Sequence, residues 1–505
     1  MRKLGSWIKW LYSIIITIIV IMCLACGSVL FSFQRRTDNI VFCIVGLCLI
    51  YILNILLLKY LQIVDDRLID KRVFEISVFV TFLLYFISYQ YSFKTGWDAG
   101  MVMDNALYLV QHNTRRLEDC SWYYKMYPNN VLITCFFTSA YYLAKLIGQI
   151  NGYFVLLFYQ SVIFSWSGYF LYRTARFVLK DVRYSILTWI TYYLLVGLSP
   201  WITVPYSDSI GLGIVSLLMF CCAGYYFVGN EDSSRYLFTF TLLSILGFYI
   251  KPQLFIFFIA FCIVSIISSG KRILRIDRFK VKKLILTVTA LTIAYLIVFC
   301  CRQFSGLTID NESKMGIAHY FMMGVNEETN GGFNGDDVKF SQSIIGYKER
   351  RTADLIVAKG RISHMGVPGL LRLWARKTII NYNDGTFGWA GEGDFYHEIY
   401  KVGIPALRKL FSAFYETPHR GFYWLAQSLW MGVLLLNGLS VKWKHENTMN
   451  TVKLAVLGLT LFEMLFEARA RYFFCYSPCY ILIAITAVRS FQIHFSGIMS
   501  VRNNS

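Results

Sequence analysis

Apolar residues dominate the chain in blocks of about 20 positions, separated by short polar turns. A helix that spans a bilayer needs about 20 such residues. Runs of this kind lie near 11–33, 40–58, 73–92, 128–147, 151–172, 184–198, 209–228, 236–250, 252–269, 284–301, 421–440, 452–467 and 471–488. The pattern predicts an all-α polytopic membrane protein. Arg2, Lys3 and Lys9 precede the first run, which is longer than a signal-peptide core and lacks a convincing small-residue cleavage site, so it reads as a retained span. Between 302 and 420 the apolar blocks stop. That stretch is polar, nearly charge-balanced (15 basic and 13 acidic residues) and rich in turn sequences such as NGGFNGDD at 330–337. Loops this long are usually functional or form a small domain of their own. No internal repeat, heptad run or low-complexity tract is present.

The turns between the blocks are charged unevenly. RTARFVLKDVR at 173–183 carries four basic residues and one acid, and GKRILRIDRFKVKK at 270–283 carries seven and one. Both should be cytoplasmic, because Lys and Arg accumulate in inside loops. If all thirteen blocks crossed the membrane from an inside N-terminus, 173–183 would fall outside. The conflict disappears if 128–147 is a non-crossing, interfacial helix. The expectation is therefore about twelve transmembrane helices with both termini inside. Four regions follow: two N-terminal spans in 1–72, a transmembrane module in 73–301 with an outer loop at 93–150, an outer loop domain in 302–420, and C-terminal spans in 421–505. The 59–72, 173–183, 270–283 and 441–453 segments then share the inner side.

Composition narrows the function classes. The 505 residues are 56% apolar, 17% aromatic and 16% charged, against about 25% charged in soluble domains. The net charge of +19 does not indicate a nucleic-acid partner, because no basic cluster interleaved with aromatics forms a soluble module. It reads as an orientation signal instead, with membrane lipid as the surrounding partner. All thirteen Cys except Cys120 lie in apolar stretches, with no CxxC pair, and the seven His form no HxxxH or HExxH pair. The absence of GxxxxGK[ST], GxGxxG and GxSxG leaves nucleotide-driven and serine-hydrolase chemistry without their signatures.

The candidate chemistry gathers in the predicted outer segments. GWDAGMVMDNALYLV at 96–110 sets Asp98 beside Trp97 soon after the third span. A partly desolvated carboxylate there has a tunable pKa and suits a general base. Asp104 is a rival six residues on, about 120° away around a helix. Asp208, in SPWITVPYSDSIGLG (199–213), follows Tyr206 directly before a span. Each Asp would serve equally as a helix N-cap. Asp98 and Asp208 together could also hold a divalent cation such as Mg or Mn. In GFYIKPQLF (247–255), Lys251-Pro252 divides an apolar stretch, and Lys251 is either a snorkelling end residue or a point charge for a phosphate. LFEMLFEARARYFFCYSP (461–478) carries Glu463, Glu467, Arg469 and Arg471. On a continuous helix Glu463, Glu467 and Arg471 would share a face as an ion-pair ladder; the alternative is an anion site built on the arginines. NYNDGTFGWAGEGDFYHE (381–398) offers Glu392, Asp394 and the rings of Phe387, Trp389 and Tyr396, either for stacking on sugars or as a turn-rich surface loop.

The order of these motifs is recognisable. An acid in the first outer loop, a YP-type helix start (YPNN), a basic inner turn and an outer YSDS turn resemble the GT-C superfamily of integral membrane glycosyltransferases that use polyprenyl-phosphate sugars. With KPQ, GGFNGDD, NDGTFGWAGEG and FEARARYF, the chain from about 73 onward looks like a family of Firmicutes integral membrane proteins regarded as glycosyltransferases. The resemblance implies a GT-C-like fold in the cell membrane, an undecaprenyl-phosphate-linked sugar donor, and inverting transfer at the extracytoplasmic face to a glycan, teichoic acid or other cell-wall acceptor. It implies Asp98 as the base and Asp208 as the second-loop acid that orients the acceptor or a metal. The superfamily often has two adjacent acids at the first position, whereas Asp98 stands between Trp97 and Ala99, and the second loop has no DxD. Lys251, Arg471 and Arg469 are the candidate contacts to the donor phosphate, and Tyr206, Trp97, Glu392 and Asp394 the candidate contacts to substrate. Two other classes compete: an oligosaccharide-unit polymerase consuming a lipid-diphosphate donor, and a lipid-glycan flippase, which would be expected to show repeated halves and ionisable residues at mid-bilayer.

Overall fold

The computed structural model describes residues 2–27, 36–61, 65–148, 151–228, 232–269, 278–307, 310–392, 396–416, 421–440 and 447–503. The helices in chain order are α1 (Arg2–Ala25), α2 (Arg36–Tyr60), α3 (Asp66–Gln90), α4 (Trp97–Gln111), α5 (Thr114–Asp119), α6 (Ser121–Met126), α7 (Asn130–Leu146), α8 (Gly152–Leu179), α9 (Val182–Tyr192), α10 (Ser207–Phe227), α11 (Ser233–Ile250), α12 (Ile256–Ser269) and α13 (Arg278–Ser305). After these come α14 (Ile317–Gly324), α15 (Gly335–Ser343), α16 (Tyr347–Tyr382), α17 (Trp389–Glu392), α18 (Pro405–Tyr415), α19 (Gly421–Gly438), α20 (Asn447–Leu465) and α21 (Ser477–Asn503). Two short strands, β1 (Phe93–Thr95) and β2 (Tyr396–Ile399), pair antiparallel.

Among the described residues, eight helices are long and apolar enough to cross a membrane: those within 7–25, 37–60, 66–90, 152–179, 207–227, 281–305, 447–465 and 470–494. The other four predicted crossings are also helical, but shorter or more polar. At 184–198 the α-helix gives way to a π turn at Tyr193–Gly197, and Pro252 divides α11 from α12 through a 3-10 turn, Pro252–Phe255. In α19, Gln427 and Asn437 face inward, fully buried.

Side-chain contacts sort the helix ends into two groups. At one end, Arg176 on α8 binds Asp66 and Asp70 on α3 at 3.1 Å each, and Tyr172 donates to Asp70. Gln492 joins Asn54 and Tyr184 at that end, and Lys453 donates to the Ser440 carbonyl. The start of α3 therefore lies beside the finish of α8, so the segment between them returns to the end of the bundle where it departed. Helices α2 and α19 cross closely enough that a Cβ at Gly46 would fall 1.9 Å from the Ser428 carbonyl oxygen. Such small-residue crossings are a common means of helix association in membranes.

The opposite end carries the 302–420 region. Strand pairing of Phe93 with Ile399 and Lys94 with Glu398 ties the segment after α3 to this region. Helix α16 bends at Gly366 (φ 58, ψ −174), just before Val367-Pro368. Its first half packs on α14 around Met322, Val325 and Ala358. Its second half enters the bundle, where the Tyr382 hydroxyl meets those of Thr460 and Tyr480. A hydroxyl buried this deeply needs such a partner.

Candidate functional site

Three chain breaks at one end of the bundle bring charged residues together. The first lies between α11 and the turn at Pro252. Lys251 is extended (φ −153), because the residue before a proline is driven out of the helical region. Gln253 holds this turn against a second one, donating from Nε2 to the Tyr472 carbonyl at 2.9 Å, while the Tyr476 hydroxyl donates back to the Gln253 carbonyl at 2.9 Å. The second break follows α20, which ends at Leu465; the chain then continues as a 3-10 helix, Ala470–Tyr476. The expected ladder on one continuous helix is therefore not formed. The third is the start of α10, where Asp208 occupies the first turn rather than the cap, which is Tyr206.

At the meeting point, Lys251 Nζ donates to Asp208 Oδ1, and Arg471 Nε approaches Asp208 Oδ2 at 3.7 Å. The carboxylate is only 3% exposed. Two cationic side chains thus face this one carboxylate in a setting where charge is weakly screened. Aromatic rings wall it: Lys251 lies 4.1 Å from the Tyr472 ring centroid and Arg471 4.5 Å from that of Trp97, which in turn stands edge-on to Tyr206 at 5.1 Å. These are favourable cation–π distances. Trp97 holds φ at 46°, a left-handed conformation that costs a non-glycine residue about 1 kcal/mol or more and is common at functional sites.

Asp98 lies next to this cluster, half-buried in the first turn of α4, where the helix dipole favours a carboxylate. The Tyr123 hydroxyl faces it, and Tyr206, Tyr127 and Tyr320 also feel its charge. Burial, then the Asp98 charge, then that of Glu467 push the Tyr127 hydroxyl up to about 12. Burial likewise raises Tyr206, with Asp98 adding to the effect. Among the described residues no ion-pair partner reaches Asp98. Asp104 projects from another side of α4, exposed, towards Lys94, Cys120 and Tyr141. The structure thus joins Asp98 and Asp208 around Tyr206 and leaves Asp104 apart.

The sequence reading missed Lys377. It is 0% exposed and donates to the carbonyls of Gly324 (2.8 Å), Met464 (3.0 Å) and Phe466 (2.6 Å), so it fastens the finishes of α14 and α20 together. Burial pulls its ammonium down to about 8, against the opposing charges of Glu463 and Glu467. The available signal was its place in LWARKTIINY, the apolar end of an otherwise charged helix. Arg469 pairs with Glu467 (2.7 Å) and lies over the Phe333 ring.

The 381–398 stretch corrects another expectation. Phe387 and Trp389 are 1% and 5% exposed, so neither ring can stack on a sugar, and this part is not a surface loop. Asp384 accepts from the amides of Thr386 and Gly388, Trp201 donates to the carbonyls of Thr386 and Phe387, and Trp389 donates to the Tyr415 carbonyl. It is a buried structural corner. Asp394 lies outside the described residues, as do the side chains of Glu392 and Tyr396.

The donor set does not fit the divalent-ion alternative. Both oxygens of Asp208 already face cationic side chains, and no group of three His, Cys, Asp or Glu residues close enough to hold a metal occurs among the described residues. A metal between Asp98 and Asp208 would have to displace Lys251 and Arg471 from Asp208.

No curated protein matches the chain. Among solved structures, crystal structures of ArnT from Cupriavidus metallidurans, one bound to undecaprenyl phosphate and one in the apo state, align over 82% of this chain and 77% and 76% of theirs, at 10% identity and a TM-score of 0.31. A family model described as "conserved hypothetical integral membrane protein" matches residues 1–491. A match of that extent, over a helical bundle with eight candidate spans, places the chain in that family of integral membrane proteins.

Proposed function

We propose that the protein is a membrane glycosyltransferase that moves a sugar from a polyprenyl-phosphate donor to an acceptor hydroxyl. One observation supports this reading: a buried cluster in which Lys251 and Arg471 face Asp208 adjoins a half-buried Asp98 that no cation among the described residues pairs with, at one end of the bundle. The lipid phosphate is a leaving group that gains negative charge as its bond to the anomeric carbon breaks, and fixed cations stabilise that charge without reorganising. Asp98 takes the proton of the acceptor hydroxyl as its oxygen attacks the anomeric carbon. The carbon–oxygen bond to phosphate breaks with its electron pair leaving on the lipid phosphate, and the configuration inverts. Asp208 holds Lys251 and Arg471 in place before the donor arrives. The acceptor is a surface glycan or glycopolymer, and the site opens to the extracytoplasmic side.

Transfer by purified protein in lipid nanodiscs, supplied with polyprenyl-phosphoryl hexoses, tests the reading. Asp98→Asn should lower the rate by about 100-fold or more, the usual contribution of a general base, while donor binding persists. Undiminished transfer by this variant would remove Asp98 as base. Consumption of a lipid-diphosphate oligosaccharide in place of the monophosphate donor would make the protein a polymerase instead.

A further inference from the structure

Glu463 lies near the end of α20 and is fully buried, and its carboxylate oxygens meet no hydrogen-bond partner among the described residues at full geometry, although the Arg469 amide points towards it. One turn beyond Lys377 on α16, Asn381 is equally buried, with both amide atoms bare. Residues four apart share a helix face, so Asn381 looks the same way as Lys377, towards α20. The Tyr382–Thr460 and Thr378–Met464 contacts bracket this stretch of the α16–α20 interface. Native structures leave few buried polar atoms without partners, and those that remain call for an explanation.

The neighbouring cations do not supply one. Lys377 has all three N–H groups committed to carbonyls, and Lys251 is committed to Asp208 and to the face of Tyr472. Glu463 has Lys251, Lys377 and Glu467 all within its field, so its surroundings favour neither a bound cation nor a bound anion. What remains is a neutral group rich in hydroxyls. The carboxyl group of Glu463 and the donor–acceptor pair of Asn381 match adjacent hydroxyls of a sugar ring.

We infer that Glu463 and Asn381 form a sugar pocket that receives the glycosyl group of the donor, on the inner flank of the cluster that holds its phosphate. This rests on the donor class proposed above. Lys251 links the two subsites, since it pairs with Asp208 on one side and lies within the field of Glu463 on the other.

Binding of polyprenyl phosphate with and without an attached hexose, measured on the purified full-length protein, tests the pocket. Glu463→Gln and Asn381→Leu should each leave the bare lipid within about twofold of wild type and weaken the hexose-bearing lipid by about tenfold or more, as loss of a buried hydrogen bond implies. Equal weakening of both lipids, or no selective weakening, would overturn the inference, since the two residues would then be structural or hold only water. If the wild type binds neither lipid, the proposed donor is wrong, and free hexoses decide the pocket separately. Thermal stabilisation by a hexose that both variants lose would sustain it, and no stabilisation of the wild type would end it.

Discussion

Asp208 and Lys251 are 4% and 13% exposed at their side chains, so each depends on the other for compensation of a buried charge. Removing one partner of such a pair strands the other, at a cost of about 3–5 kcal/mol, whereas replacing both with apolar groups is often nearly neutral. Lys251→Met and Asp208→Leu should therefore each lower the thermal unfolding midpoint markedly, and the double variant should lose less than the sum of the two, although Arg471 stays without this carboxylate. Additive losses in that double-mutant cycle would show that the two side chains are not coupled. Both residues were legible in the sequence because ionisable groups at membrane depth are costly and stand out against apolar neighbours. Lys377 and Glu463 were not. Lys377 lies in a helix with many other basic residues, and only the inward path of α16 after Gly366 makes it a buried cation. Glu463 was visible, but the end of α20 at Leu465 separates it from the ladder that the spacing with Glu467 and Arg471 implied.

Helices α14, α15 and the first half of α16 make a small unit in which polar pairs supplement a modest apolar core. Arg361 grips Asp337 with both terminal nitrogens (2.6 and 2.9 Å), and Ser341 donates to Asp354 while meeting His319 Nδ1 at 2.7 Å. Burial pulls His319 from its usual 6.5 down to about 4, outweighing the opposing pull of Asp337 and Glu467. The folded unit thus carries a neutral imidazole where the unfolded chain would carry a protonated one. Stability from this source is intact above pH 6.5, falls as the pH drops from 6.5 towards 4, and is fully lost below, a change of about 3 kcal/mol. The protection of the Ala318–Gly324 amides against hydrogen exchange, corrected for the intrinsic pH dependence of exchange, should fall over that range in the wild type and much less in His319→Gln; matching profiles would assign the pH response elsewhere. The sequence indicated a folded domain here from length and turn content, but not its elements. The same Gly-and-aromatic composition that forms the surface turns around Asn330 and Gly331 forms the buried corner at 383–389, and the difference comes from distant partners such as Trp201 and Tyr415.

At the scale of the whole molecule, the charges and the contacts select the same arrangement by separate routes. Counting Lys and Arg placed 59–72 and 173–183 on one side, and the Asp66–Arg176 and Asp70–Arg176 pairs hold those segments together. The number of crossings was less legible, because hydropathy does not register that a proline or a π turn shortens a helix. The arrangement has a consequence for access. Lys125 and Lys339 belong to the end that holds Asp98 and Asp208, whereas Lys71 and Lys180 belong to the end of the Asp66–Arg176 pair. Their polar ends cannot exchange sides without carrying charges through the bilayer. With native cysteines replaced by serine, Lys125→Cys and Lys339→Cys should react with a membrane-impermeant maleimide on intact cells, and Lys71→Cys and Lys180→Cys only after permeabilisation. Reaction of 125 and 180 from the same side would break the arrangement, since α8 would then have to begin and finish on one face. Labelling of 71 and 180 alone on intact cells would invert the whole molecule, place the Asp98 site in the cytoplasm, and exclude an extracytoplasmic acceptor.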